Sequence, residues 1–194
     1  MKRAAEIAIA EANQSGRFKA LRVELAAFDD RADPKEAVNA ANQIIADKRI
    51  FGVIGHLNSG CSIPASQVYA KRNLVMLSPA STNPKVTLQG LKNVFRVCTT
   101  DDVQGNAAAN FVVDKLKINK VAIIHDKTAY GQGIAEEFKN QFTARQGTIA
   151  SFDGIDLGEK DFKALLTKIK TKNPALIYFG GMYTEGAHIS KQAK

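Results

Sequence analysis

The sequence predicts an α/β fold: two doubly wound lobes of parallel sheet, truncated at its ends. Three observations carry this. Strand-like and helix-like stretches alternate along nearly all of the 194 residues, which implies parallel strands covered by crossover helices. The loops that follow the strands are rich in glycine and small hydroxyls. A polar, β-branched stretch, "RVCTTDD" (96–102), divides the chain near its middle into a first lobe, 1–98, and part of a second, 99–194.

The elements follow in order. Residues 3–14 read as an amphipathic helix that Gly16 stops. Its opening "MKR" imitates a secretory leader, but Glu6 and Glu11 interrupt the apolar stretch. "LRVELAAF" (21–28) alternates Leu21, Val23 and Leu25 with Arg22 and Glu24, the pattern of a half-exposed strand near a sheet edge. Asp33 is an N-cap, with Pro34 at the first helical position and Glu36 three residues on. Val38, Ala41, Ile44 and Ile45 mark the buried stripe of that helix.

"IFGVIG" (50–55) reads as a short buried strand, 62–72 as a helix, 74–78 as a strand ending in the loop "PASTNP", and 94–97 as a strand. A helix over 103–117 leads to "KVAIIHD" (120–126), the clearest strand in the chain. A helix over 129–145, a strand over 147–154, a helix over 159–172 and a strand over 175–181 complete the pattern, with a short helix after it. Phe162, Leu165, Leu166 and Ile169 give the helix over 159–172 its apolar face. The chain opens on a helix without a preceding strand and closes on a lysine-rich helix, so a piece of a longer two-lobed protein is expected.

Composition narrows the function. Hydrophobic content of 45% and charged content of 24% are ordinary for a globular protein, and no apolar run reaches membrane-spanning length. The net charge of +8 is dispersed rather than clustered with aromatics, so a generic basic surface, not a nucleic-acid site, is expected. Cys61 and Cys98 lack a CxxC pattern and could pair or stay free; no histidine stands at metal-ligand spacing, and neither a metal nor another cofactor is expected.

In open parallel sheets, ligands bind beyond the carboxyl ends of the strands. Four loops there carry polar groups: "GHLNSGCS" (55–62), "SPASTNP" (78–84), "HDKTAYGQG" (125–133) and "GGMYTEG" (180–186). Helix N-termini at such loops favour anions by about 0.3–2 kcal/mol. Two loops fall in each predicted lobe, so a small ligand gripped between lobes is expected. An enzymatic Cys61 would need a base; His56 lies five residues upstream, His125 falls in the other lobe, and no nucleophile elbow surrounds the thiol. "YGQG" (130–133) lacks the GK[ST] of a Walker motif, and Asp126 reads as a turn or cap residue. No catalytic residue is assigned.

Taken together, "VIGHLNSGCSIPAS", "MLSPASTNP", "AIIHDKTAYGQG", "FDGIDLGEKDF" and "IYFGGMYTEG" resemble the periplasmic leucine/isoleucine/valine-binding proteins of ABC transporters, in matching order over nearly the whole chain. The resemblance implies a hinged, two-lobed Venus-flytrap protein that binds a branched-chain or related amino acid without chemistry and delivers it to a membrane permease. It implies a periplasmic, monomeric parent. Ser59 matches the serine that holds the ligand carboxylate. Ala80 and Thr82 match positions completing the carboxylate and ammonium contacts, with Ser81 between them as an auxiliary. Tyr130 matches a tyrosine of the second lobe, and Met182 replaces an aromatic ring beside the ligand. Ala32 and Asn58 stand where the family has a disulfide. The family's first strand would precede Met1, and its acidic partner for the ammonium would follow Lys194, so weak binding by this chain is expected. Two other readings stay open: a ligand-sensing regulatory or receptor domain of the same fold, and a cysteine-dependent amide hydrolase.

Overall fold

The structure, a computed structural model, describes residues 1–16, 18 and 21–194. The chain divides into two compact units: Met1–Ser81 with Lys85–Cys98, and Thr82–Pro84 with Thr99–Lys194.

The first unit begins with α1 (Lys2–Gln14), which buries no residue and ends at Ser15 before Gly16, whose φ of 67° suits the absence of a Cβ. Residues 21–28 correct the expectation of a strand: among the described residues they have no ladder partner. One side chain supplies a substitute rung, the Asn13 amide donating to Val23 O (2.8 Å) and accepting from Val23 N (3.0 Å). Alternation encodes a strand's two faces, but a strand exists only once its backbone finds a neighbour.

Helix α2 (Pro34–Ala46) starts as expected, the Asp33 carboxylate accepting from Lys35 N and Glu36 N. Its buried positions are Ala37, Ala40, Ala41 and Ile44, while Val38 and Ile45 lie at the margin. Strand β1 (Gly52–Ile54), α3 (Ser59–Ala70), β2 (Val75–Ser78), the short α4 (Lys85–Leu88) and β3 (Val94–Arg96) follow, and the strands pair in parallel in the order β1-β2-β3. The Arg72 guanidinium donates to Ile45 O (3.0 Å), Asp47 O (2.7 Å) and Ile50 O, joining the end of α2 to the approach to β1.

Alternation across this sheet sends Val53, Met76 and Val94 toward α2 and α3, where Tyr69, Ala65 and Ile44 complete the core. Ile54, Leu77 and Phe95 are in register on the opposite face. Ile54 is 56% and Phe95 50% exposed, which corrects the reading of 50–55 as a buried strand. Strand β1 is an edge strand, and among the described residues helices cover only one of its faces.

The second unit contains α5 (Asp101–Asp114), β4 (Lys120–His125), α6 (Ala129–Ala144), β5 (Thr148–Gly154), α7 (Lys163–Thr171), β6 (Leu176–Gly180) and α8 (Tyr183–Gln192). Its parallel sheet runs β5-β4-β6, with β4 in the centre. Val121 and Ile123 pack against α5 and α6 with Ala109, Phe138 and Phe142. Ala122 and Ile124 face the other way, into Phe162, Ile169 and Ile189. A continuous apolar run is what a strand covered on both faces requires. Helix α7 starts later than the sequence pattern predicts. Phe162 N donates to Gln192 Oε1 (2.8 Å) and Gly158 N to Glu185 Oε1 (3.0 Å), so α8 holds the preceding residues in a non-helical path.

Candidate functional site

In the first unit, α3 begins three residues earlier than expected, with Asn58 as its N-cap and Ser59 as its first residue. Cys61 N and Ser62 N both donate to Asn58 O at 3.0 Å. Ser59 is buried at the positive end of the helix dipole, just beyond the carboxyl end of β1.

The loop after β2 is drawn to the same place. Ser78 Oγ donates to His56 O (2.9 Å) and accepts from Ser81 N (2.9 Å). Ser81 Oγ lies 2.7 Å from Ser62 Oγ and 3.1 Å from both His56 O and Leu57 O. The structure therefore brings the first turn of α3 and the segment carrying Ala80 and Ser81 together. Ser81 is 1% exposed and its hydroxyl serves this scaffold; Ala80 is half-buried. Sequence reasoning passed over Ser62 and Ser78, because nothing in a single serine announces a partner nineteen or twenty-two residues away.

In the second unit, Thr82 O accepts from Asp101 N (2.9 Å), and Asn83 Nδ2 donates to Ala129 O (2.6 Å). These bonds secure 82–84 against the starts of α5 and α6. Tyr130 is the second residue of α6, whose N-cap Thr128 accepts from Gly131 N at 2.9 Å. Met182 is the N-cap of α8. Asp126, 2% exposed, joins the two loops: Oδ1 accepts from Thr128 N (3.0 Å) and Thr128 Oγ1 (2.6 Å), and Oδ2 from Met182 N (3.1 Å). It is a turn residue, as its sequence context implies. Gly131 is required beside it, since a Cβ there would stand 2.0 Å from Asp126 Oδ1 and 2.6 Å from Gly180 O. Burial, with Asp101 and Asp126 nearby, raises the Tyr130 pKa and keeps its hydroxyl a donor.

Both cysteines are free thiols. Burial foremost, then the charges of Asp30 and Asp33, pushes Cys61 up to about 12, so it is no thiolate at neutral pH. The imidazole of His56 is engaged by Asp30 and Tyr69 instead. We expect iodoacetamide to label Cys98 in the native protein and Cys61 only after denaturation. Peptide mass spectrometry showing faster native labelling of Cys61 would contradict that burial.

His125 introduces a pH dependence. Burial lowers its pKa, opposed by Asp126, Glu136 and Asp153 and reinforced by Lys127. The neutral ring also accepts at Nδ1 from Lys127 N (3.1 Å) and packs on Phe152. The folded-state value lies below that of an unfolded histidine, about 6.5, so this contribution is complete above that pH and is lost as pH falls toward the folded value. His125→Asn, which keeps an acceptor for Lys127 N, should flatten the decline in urea midpoint between about pH 7.5 and 5.5. An unchanged slope would remove His125 as its source.

Parallel sheets with hydroxyls, backbone groups and helix N-termini gathered at their carboxyl ends define the α/β ligand-binding class. A family model for periplasmic binding proteins matches residues 1–194, and the chain belongs to that family. It is 43% identical over 192 residues to Leu/Ile/Val-binding protein homolog 1 of Brucella abortus, covering 99% of this chain and 52% of the relative. It is 38% identical to an amino acid binding protein of Pseudomonas aeruginosa, covering 99% of this chain and 51% of that one. Among solved structures, the leucine binding protein LivK of Thermotoga maritima superimposes with a TM-score of 0.85 at 34% identity, over 95% of this chain and 54% of that one. The branched-chain amino acid transporter substrate binding protein LivJ of Streptococcus pneumoniae, solved in complex with isoleucine, gives 0.87 at 27%, over 99% and 54%. The chain thus spans about half the length of the curated relatives it matches. Family members are solute-binding proteins, which supports a non-enzymatic reading.

Proposed function

We propose that this chain supplies amino-acid-binding elements of a periplasmic substrate-binding protein that serves an ABC importer, the ligand being a branched-chain or related amino acid. The observation that carries the proposal is the serine-rich cradle at the carboxyl ends of β1 and β2, in a chain of this family. Neutral hydroxyls and backbone N–H groups solvate a carboxylate without burying a second charge that would itself need a partner. Ser59 and Ala80 receive the ligand carboxylate, with Ser81 holding their loops in place. Thr82 meets the ammonium, and Tyr130 and Met182 add further ligand contacts. Binding involves no bond-making step, so the protein acts as a carrier and not an enzyme. The parent is periplasmic and monomeric and delivers its ligand to a membrane permease.

The test is a leucine titration followed through the backbone amides of the 194-residue protein. We expect shifts at Ser59, Ala80 and Thr82 and an affinity weaker than micromolar, which would correspond to about −8 kcal/mol. Ser59→Ala should weaken binding by about 1.5–3 kcal/mol, the contribution of a hydrogen bond to a charged group. Leucinamide, which lacks the carboxylate, should bind more weakly than leucine. Absence of any amino-acid-dependent shift at these residues would overturn the proposal.

A further inference from the structure

All the polar atoms of His56 are engaged, three residues before Ser59. The residue is 7% exposed. Its Nδ1 lies 2.7 Å from Asp30 Oδ2 and its Nε2 3.0 Å from Tyr69 OH. A neutral ring with its proton on Nδ1 satisfies both contacts, donating to Asp30 and accepting from Tyr69. The backbone is held as firmly: His56 O accepts from Ser78 Oγ and Ser81 Oγ, and His56 N donates to Ser62 Oγ (3.2 Å).

These partners come from separate parts of the first unit. Asp30 belongs to the turn before α2, a segment that pairs with no strand among the described residues. That turn is shaped by Asp29 and Asp30 accepting from Arg31 N and Ala32 N, both residues having positive φ. Tyr69 lies near the far end of α3 and is fully buried. Ser78 and Ser81 bracket Ala80. His56 is therefore the point where the approach to α2, the body of α3 and the loop after β2 meet.

We infer that His56, clamped between Asp30 and Tyr69, is a positioning residue for the carboxylate site, fixing residues 55–58 so that Ser59 and the Ala80 backbone are held ready before ligand arrives. The inference rests on the amino-acid-binding reading above. Short connections that carry ligand contacts lose affinity when they must be ordered during binding, and a clamp at their centre removes that cost in advance. A histidine suits the task because one planar ring places two hydrogen-bonding atoms at opposite ends of a rigid bar, reaching two elements at once. A serine or asparagine at position 56 would reach only one.

Three variants separate positioning from general stability. His56→Gln directs its amide near the Nε2 position, toward Tyr69, and loses Asp30. His56→Asn puts an amide nitrogen near the Nδ1 position and keeps Asp30. Tyr69→Phe keeps the ring packing and removes only the hydroxyl. Leucine affinity should fall about tenfold in His56→Gln, and Tyr69→Phe should show a smaller loss. His56→Asn should recover most of the affinity. Without ligand, amide exchange at 56–62 should accelerate in His56→Gln while Val68 and Met76 in the core keep their parental protection. Unchanged affinity and exchange in His56→Gln would overturn the inference. So would acceleration spread evenly through the unit, which marks a residue that only supports the fold. Should the parent show no leucine response, the amino-acid reading fails, while loosening confined to 56–62 still identifies His56 as the anchor of this loop.

Discussion

Replacing Phe138 with alanine is expected to destabilise the second unit by about 3–5 kcal/mol, as for other buried aromatic truncations. Phe138 is fully buried in α6, in the core that includes Val121 and Ile123. Its ring stacks on Tyr178 with 3.9 Å between centroids and on Phe142 with 5.5 Å. Alanine removes this ring and leaves a cavity that α5 on one side and the sheet on the other are poorly placed to fill. Phe138→Leu, which refills part of the space, should recover about half the loss. Urea unfolding monitored by tyrosine fluorescence checks the pair. A loss below about 1 kcal/mol for Phe138→Ala would mean that this core collapses readily around a missing ring.

A comparable loss, about 3–5 kcal/mol, is expected for Asp126→Ala, through hydrogen bonding rather than packing. The carboxylate accepts from Thr128 N, Thr128 Oγ1 and Met182 N, and its removal leaves three donors facing a space that the missing Cβ atoms of Gly131 and Gly181 leave open. Asp126→Asn should fall between the two. Its oxygen can still serve Thr128, but its NH2 group faces the Met182 N–H, and two donors then oppose each other. The same unfolding measurement applies, and equal stability of the aspartate and alanine forms would show that water replaces the carboxylate. Because Asp126 joins the loops bearing Tyr130 and Met182, its loss should also widen their amide resonances.

The particular residues show how far the sequence reached. Asp33, Pro34 and Glu36 announced the start of α2, and the bonds from Lys35 N and Glu36 N to Asp33 confirm the cap. The apolar run "KVAIIHD" (120–126) announced the clearest strand of the chain, and β4 occupies it, packed on both faces. These signals are local: a cap or a buried strand is written within a few consecutive residues. The strand expected over 21–28 was equally visible as a pattern, yet among the described residues it lacks the hydrogen-bonding neighbour that a strand needs. Ile54 likewise has a core residue's chemistry and an exposed position, because among the described residues helices pack on only one face of its sheet.

The candidate site divides in the same manner. Glycines and hydroxyls after β1, β2, β4 and β6 marked the loops worth inspecting, and the sequence by itself determined the alternating elements, the apolar faces and the family they belong to. Only the tertiary structure decided that Ser81 turns its hydroxyl into the scaffold while His56 gathers partners from Asp30 and Tyr69. The reason is physical. Periodicity and capping depend on neighbours along the chain, whereas the role of a hydroxyl or an imidazole depends on which group chain folding places within about 3 Å of it.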